Sequence, residues 1–232
     1  MTERPILFSA PMVRALLDGR KTQTRRIIKP QPPTVEAVQQ RSGASYHWLP
    51  PNETFPWCRP VGAVSVVREL MGREPRLDLR FSKGDRLWVR ETFSFERRWV
   101  GTKPKDVPAG VPVWYWADGN PPDGDWTKPI VSIHMPRWVS RLTNIVTDVR
   151  VQRLLEIDAD DAAAEGLFYV EDGPGAGFWL GDKEGTLGIC GDGSIEAYAQ
   201  LWEYINGAGS WDANPWVVAL TFDVVNRNID QC

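Results

Sequence analysis

The feature that most constrains the fold is a long stretch of alternating side chains beyond the middle of the chain. Residues 139 to 155 (VSRLTNIVTDVRVQRLL) alternate between apolar and polar types. Successive side chains of a strand point to opposite faces of a sheet, so this pattern is typical of a half-buried strand. It predicts one long strand, or two joined by a bend. Other strands are predicted at residues 5–8, 21–28, 86–93, 114–116 and 216–222.

Helical spacing is limited to three short segments. The first begins at Ser9 as N-cap, continues through Met12, Val13, Leu16 and Leu17, and ends at Gly19. The second is a short alanine-rich helix, capped by Asp158 or Asp160, that ends at Glu165-Gly166. The third runs from Ser194 or Ile195 to Ile205, and its apolar face is predicted to consist of Tyr198, Leu201, Trp202 and Ile205.

Three segments between these elements lack a regular pattern. Residues 30–79 and 94–128 are rich in loop-forming residues and predict irregular insertions, and the Gly- and Asp-rich residues 170–193 predict a mobile loop. We therefore expect one domain over residues 1–232, mostly β within an α+β class. Closure of its strands into a β-barrel would remove exposed sheet edges.

Composition indicates a folded protein without a membrane span. Hydrophobic residues make up 42% of the 232 residues and include 12 Trp, enough for a sizeable core, with a few indoles expected to form stacking surfaces for bases. No segment approaches 18 consecutive apolar residues, and the N-terminus lacks the pattern of a signal peptide. A cytoplasmic location is predicted.

The supply of metal ligands and cysteines is small. The chain has two histidines, His47 and His134, and three scattered cysteines, Cys58, Cys190 and Cys232. Neither a disulfide framework nor a metal site is expected from these residues, and no cofactor is implied.

Positive charge is concentrated near the N-terminus. Between Arg14 and Lys29 there are six basic residues and one acidic residue, a local charge of +5 in a chain of net charge −3. This segment is either a positive face that attracts a phosphate-bearing ligand or a solvated charged strand.

The block Gly19-Arg20-Lys21-Thr22-Gln23-Thr24-Arg25-Arg26 carries the clearest chemical pattern. A helix ends at a glycine and a strand begins at once, which predicts that Lys21 lies at a barrel rim, three residues before the hydroxyl of Thr24. A partly desolvated lysine has a lowered pKa and can accept or relay the proton of such a hydroxyl.

This block resembles the signature of the ASCH domain, a relative of the RNA-binding PUA fold. Three further blocks resemble the same family in the same order: residues 84–89 (GDRLWV), 157–166 (IDADDAAAEG) and the closing segment with Trp211, 214–217 (NPWV) and Phe222. Together they cover about half of the chain. The sequences of these blocks, together with residues 135–138 (MPRW), are also similar to those of a group of uncharacterised phage and prophage proteins.

The resemblance implies both a fold and a site. The fold is a PUA-like β-barrel with a few short helices and long insertions. The family often has Glu where this chain has Thr24, whereas its small N4-acetylcytidine amidohydrolases also have Thr. Their proposed catalytic set corresponds to Lys21, Thr24 and Glu165 in this chain.

Five other residues are candidates for substrate binding. Arg20 belongs to the basic segment, and Arg26 is either a clamp for carbonyl or phosphate groups or the partner of Asp85 or Glu91. Glu91 is predicted to point inward and to need Lys21 or Arg26 as its partner. Candidates for contacts with a base and a phosphate are Arg137 and Trp138, although packing is the better expectation for Trp138.

Two main classes of function remain open. The first is an amidohydrolase that removes an acyl group from N4 of a modified cytidine or a related nucleoside or nucleotide. The second is a non-catalytic module that binds RNA, DNA or a modified nucleotide through Arg20, Arg25 and Arg26. A third possibility makes residues 30–79 and 94–128 the working surface of an interaction module.

Overall fold

The computed structural model describes residues 1–29, 31, 81–121, 124–171, 177–180 and 189–232, and for residues 189 and 190 it describes the backbone alone. The predicted insertion at 30–79 lies outside the described residues, except for Gln31. Within them the chain has ten strands, three α-helices and several single 3-10 turns, so the class is α+β with more strands than helices.

The strands are β1 (Glu3–Leu7), β2 (Gln23–Ile27), β3 (Arg86–Arg90), β4 (Phe93–Phe95), β5 (Val113–Tyr115), β6 (Thr143–Arg153), β7 (Phe168–Val170), β8 (Gly177–Leu180), β9 (Ile189–Gly191) and β10 (Trp216–Val225). The helices are α1 (Ala10–Leu17), α2 (Ala159–Ala164) and α3 (Ser194–Asn206). None of the helices among the described residues has the length and apolar character needed to cross a membrane.

The main sheet has five strands in the order β1-β3-β6-β10-β2. β1 and β3 are parallel, and every other neighbouring pair is antiparallel. The alternating segment 139–155 contains the single strand β6, which pairs with β10 along its length and shifts register between Thr221 and Phe222. The predicted long strand is therefore confirmed in its one-strand form.

The main hydrophobic core lies between this sheet and the helices α1 and α3. It includes Val13 and Leu16 of α1, Tyr198 and Leu201 of α3, and Leu220 of β10. The predicted apolar face of α3 is confirmed except at Ile205, which is 50% exposed because it lies in the last turn, beyond the packed part of the helix.

The local stop and start signals of the helices are mostly confirmed. Gly19 follows α1 with φ +73°, a conformation that favours glycine. The carboxylate of Asp158 accepts the backbone N–H of Asp161 at 2.8 Å and caps α2. Ser9 occupies the N-cap position of α1 but its hydroxyl makes no capping hydrogen bond.

The segment predicted as an insertion at 94–128 contains regular structure. β4 and β5 pair as an antiparallel ladder, and Trp116 begins a 3-10 turn instead of continuing the strand. A second hydrophobic cluster packs there, formed by Phe93, Phe95, Val107, Met135 and Val139.

The prediction of a mobile loop at 170–193 is wrong for the described residues of this segment. β7, β8 and β9 form a three-stranded antiparallel sheet. Gly177 pairs with Val170 on one side, and its Cβ position would lie 2.8 Å from the carbonyl oxygen of Gly191. Glycine there permits close approach of two backbones, so the Gly-rich composition serves strand pairing.

Candidate functional site

The candidate site forms where the end of α2 meets the start of β2. The backbone N–H of Lys21 donates to the carbonyl of Ala15, and that of Thr22 donates to the carbonyl of Ala164, each at 2.9 Å. Lys21 and Glu165 also form an isolated antiparallel bridge. Two segments that are 144 residues apart in the chain are thereby held in register.

Gly166 allows this close approach. Its φ is +105°, and a Cβ placed on it would lie 2.9 Å from the Cβ of Ala15 and 3.1 Å from the Cβ of Lys21. No larger residue fits without moving one of these side chains. Glycine is therefore required after Glu165, because the aliphatic stem of Lys21 packs against the backbone at this position.

Lys21 and Glu165 form a buried ion pair. Lys21 Nζ lies 2.8 Å from Glu165 Oε2 and donates to the Glu165 carbonyl oxygen at 2.8 Å as well. The two residues are 0% and 2% exposed. Burial lowers the pKa of Lys21, and the charge of Glu165 offsets part of that decrease. The ring of Phe8 lies 5.5 Å from the ammonium and adds a cation–π contact.

The second carboxylate oxygen of Glu165 has two donors of its own. Oε1 accepts from Arg25 Nη1 at 3.1 Å and from the Tyr198 hydroxyl at 3.3 Å. Burial, with the nearby charge of Glu165, raises the pKa of Tyr198 well above its usual value, so the phenol keeps its proton and acts as a donor. Glu165 is thus held from both sides.

Arg25 connects this carboxylate to a second one. Its Nη2 lies 2.5 Å from Asp161 Oδ2, and Asp161 also accepts from Gln23 and Arg150. Burial works to raise the pKa of Asp161, but the hydrogen bonds and charges of its partners outweigh it and the pKa is lowered. The network fixes α2 to β2 around Glu165.

A cavity of about 210 Å³ opens beside Glu165. Its lining comes mainly from the strand β2, including Thr24, Arg25 and Arg26, and from the helix α3, including Tyr198 and Trp202; the remaining lining residues are Met12, Ile27, Lys29, Leu201, Ile205 and Asn206. Thr24 and Glu165 both line this cavity.

Lys21 is placed differently from the prediction of a rim position. It does not belong to the cavity lining, because it lies fully buried behind Glu165. In the described part of the chain its ammonium bonds to Glu165, and no hydrogen bond joins it to Thr24. Glu165 therefore separates the lysine from the open space.

Arg26 reaches the cavity but has other partners than predicted. Its Nη2 donates to the carbonyl of Leu7 at 2.9 Å, and its guanidinium lies 5.4 Å from the ring of Phe8. The expected ion pair with Asp85 or Glu91 is wrong. Asp85 instead accepts the backbone N–H groups of Thr2 and Ser82.

Arg20 lies beside the site without lining the cavity. It forms an ion pair with Asp18 at 2.8 Å, donates to the carbonyl of Gly166 at 2.7 Å and covers the ring of Phe168. These contacts stabilise the turn between α1 and β2.

The predicted partner of Glu91 is also wrong. Both of its carboxylate oxygens accept from Arg141, at 2.9 and 3.0 Å, and Arg141 forms a second bidentate pair with Asp118 at 2.7 Å. Burial raises the pKa of Glu91 and Arg141 opposes that increase. Arg141 is followed in the chain by the buried Leu142, and nothing local in the sequence linked it to Glu91, 50 residues earlier.

Arg137 and Trp138 are not brought to the cavity. Arg137 forms ion pairs with Glu3 and Asp230 at 2.5 Å. The indole of Trp138 stacks on Phe95, with ring centroids 5.8 Å apart and an angle of 18°. The packing expected for Trp138 is what the structure has.

Two residues of the site were not selected from the sequence: Asp161, one of several acidic residues of α2, and Tyr198, predicted to belong to the apolar face of α3. Arg25 was predicted as a cation that binds nucleic acid, and its ion pairs with Glu165 and Asp161 were not predicted. A signal for Asp161 existed, because it lies four residues before Glu165 and residues so spaced share one helix face.

Comparison with known proteins identified no relative of this chain. No protein-family model matches the chain, and no similar chain was found among curated proteins or solved structures. Across the described residues, His, Cys, Asp and Glu side chains form no group of three that could hold a metal ion.

Proposed function

We propose that this chain is an ASCH-like amidohydrolase that removes an acyl group from N4 of a modified cytidine or a related nucleoside or nucleotide. One observation carries the proposal: Thr24 and Glu165 line the same cavity, and Glu165 is bonded to Lys21 at 2.8 Å. Of the three residues that resemble the family's catalytic set, two line one cavity and the third is bonded to one of them.

The proposal includes closure of the main sheet into a barrel of the PUA-like type. β1 and β2 are the two edge strands of the described five-stranded sheet. Arg26 on β2 donates to the carbonyl of Leu7 at the end of β1, at 2.9 Å. This bond between the edges supports a curved sheet whose ends approach each other.

The chemistry requires a nucleophile, a proton carrier and a charge that stabilises the tetrahedral oxyanion. In the proposed order, the Thr24 hydroxyl attacks the acyl carbonyl and its proton passes to the Lys21–Glu165 pair. The C–N bond breaks as that pair protonates N4, which releases cytidine and leaves an acyl ester on Thr24. Water then hydrolyses the ester and restores the hydroxyl.

A second order uses Glu165 to activate water directly. It is favoured by the position of Glu165, which faces the cavity while Lys21 lies behind it. In both orders the lowered pKa of Lys21 makes proton transfer within the pair easier, and Arg25 and Tyr198 hold the carboxylate in place.

Non-catalytic binding of RNA, single-stranded DNA or a modified nucleotide is the second candidate. It is favoured by the cations Arg26 and Lys29 at the cavity, which suit a phosphate. A cytoplasmic location is part of both proposals, since modified nucleosides and RNA are found there.

The test is incubation of the purified protein with N4-acetylcytidine, followed by chromatography for cytidine. We expect release by the wild type and a loss of about 10²-fold or more in Thr24→Val and in Glu165→Gln. Thr22→Val is the matched control, because Thr22 is on the same segment but outside the cavity lining. Lys21→Ala completes the set.

The outcomes separate the hypotheses. Full activity of Thr24→Val, with loss in Glu165→Gln, would eliminate the threonine nucleophile and leave direct activation of water. No cytidine release by folded wild-type protein would contradict the hydrolase and favour the binding module.

A further inference from the structure

The cavity has two cations that no described acidic side chain neutralises. Within the described ranges, Arg26 and Lys29 form no ion pair, whereas Lys21 and Arg25 are each paired with Glu165. Arg25 is also paired with Asp161. The charges around Glu165 are therefore balanced, whereas Arg26 and Lys29 add positive charge to the cavity lining.

Arg26 is fixed in position with donors to spare. Its Nη2 is engaged by the carbonyl of Leu7, and the face of its guanidinium lies on the ring of Phe8. Among described residues, Nε and Nη1 have no hydrogen-bond partner. Burial lowers the pKa of Arg26, with the charge of Glu165 opposing the change, so an anion beside it would restore lost solvation.

The part of the cavity lining that comes from α3 is mostly apolar. It includes Tyr198, Leu201 and Trp202, which are buried, and Ile205, which is 50% exposed. A base that occupies the cavity beside Thr24 and Glu165 shares it with Arg26 and Lys29, which are then available to a phosphate. Lys29, two residues beyond the last residue of β2, is exposed.

We infer that Arg26 and Lys29 form a phosphate subsite, so that the preferred ligand is a phosphorylated nucleoside rather than a free one. The inference rests on the proposed function in one respect, because it assumes that the base occupies the cavity beside Thr24 and Glu165. The shared chemistry is a phosphate ester on the ribose, which either a mononucleotide or an RNA strand supplies.

The test measures binding of cytidine and of cytidine 5′-monophosphate by calorimetry at low salt. We expect the monophosphate to bind about tenfold more tightly, since one or two charge-assisted hydrogen bonds are gained. In Arg26→Gln/Lys29→Gln this preference should disappear. The control Lys83→Gln/Arg227→Gln removes the same charge from two exposed residues outside the cavity lining and should keep the preference.

Arg26→Lys separates charge from geometry, because lysine keeps the charge but lacks the planar fork. We expect it to keep only part of the preference. A short oligocytidylate distinguishes the two sources of phosphate. Tighter binding than the monophosphate, with a steeper salt dependence, would identify a strand, and equal binding would identify a mononucleotide.

Equal affinities for cytidine and its monophosphate, including no detectable binding of either, would overturn the inference, as would a preference that survives in Arg26→Gln/Lys29→Gln. The proposed function is measured separately, by release of the acetyl group from N4-acetylcytidine and from its 5′-monophosphate. A phosphate preference without hydrolysis would refute the amidohydrolase and keep the subsite.

Discussion

The ammonium of Lys21 is one of the most costly groups in the molecule to bury. It is 0% exposed, and an unpaired charge in that position would be strongly unfavourable. The buried ammonium is stabilised by Glu165, whose carboxylate and carbonyl oxygens each accept a hydrogen bond from it. We therefore expect the pair to contribute to stability as well as to the proposed chemistry.

At the residue scale we predict that Lys21→Met lowers the free energy of unfolding by about 3–5 kcal/mol, because it leaves the Glu165 carboxylate buried without its main cation. Lys21→Met/Glu165→Gln should lose about 1–3 kcal/mol less than the sum of the two single changes. Urea denaturation of the wild type, the two single variants and the double variant measures this coupling.

The exposed pair Arg97–Asp125 provides a control, since its side chains are 70% and 77% exposed. The same cycle with Arg97→Met and Asp125→Asn should show no measurable coupling. Strictly additive losses at Lys21 and Glu165 would contradict the ion pair.

At the scale of elements, the packing of the end of α2 against α1 and Lys21 includes a close approach at one glycine. Gly166 directly follows the C-cap residue Glu165, and its missing side chain lets the stem of Lys21 and the methyl group of Ala15 pack against the backbone. The position therefore combines a positive φ with close packing.

We predict that Gly166→Ala lowers the free energy of unfolding by about 2 kcal/mol or more, through backbone strain and overpacking together. The matched control is Gly119→Ala, where φ is +99° and no atom lies within 4 Å of the added Cβ, so it reports the strain alone. Thermal unfolding of both variants measures the difference. Equal losses would mean that the close contact contributes nothing.

At the scale of the whole molecule, Arg141 connects the two hydrophobic clusters. It precedes Leu142 of the main core, pairs with Glu91 and Asp118, and its guanidinium lies 4.1 Å from the ring of Tyr115, which packs on the second cluster. The Tyr115 hydroxyl donates to the carbonyl of Val139 at 2.6 Å, and burial raises the pKa of Tyr115 to about 12.

We predict that Arg141→Met lowers the free energy of unfolding by about 3–5 kcal/mol, because Glu91 is left as a buried unpaired charge. Hydrogen exchange should become faster in β4 and β5 than in β6 and β10, since the connection to the second cluster is weakened. Adding Glu91→Gln should recover much of the loss. If it recovers none, the buried charge is not the cause.

Arg137→Met is the control at this scale. Arg137 forms ion pairs with Glu3 and Asp230, but its side chain is 36% exposed. Its removal should change the stability less than that of Arg141, because solvent can replace its partners.

Prediction from sequence succeeded where the cause is local. Alternation over residues 139–155 identified β6, and Gly19 marked the end of α1. The start of α2 was predicted at a cap by Asp158 or Asp160, and the structure has Asp158. Each of these signals acts within a few residues, where backbone geometry and side-chain spacing decide the outcome.

The motif also suggested that Lys21, Thr24 and Glu165 form one site, but it did not predict how they are arranged. Which side chain faces the cavity and which lies behind it depends on contacts between segments more than 100 residues apart. The partner of Glu91 was mistaken for the same reason, since Lys21, Arg26 and Arg141 are all chemically suitable and only the packing selects one.

By itself, the sequence determined the α+β class, most of the elements and the segments that hold the candidate site. The tertiary structure alone decided that Lys21 and Arg25 are buried and paired, that β8 and β9 form strands, and that Arg26 and Lys29 have no acidic partner among the described residues. The physical reason is that strand pairing, burial and charge neutralisation are set by long-range contacts, whereas turns, caps and periodicity are set by neighbouring residues.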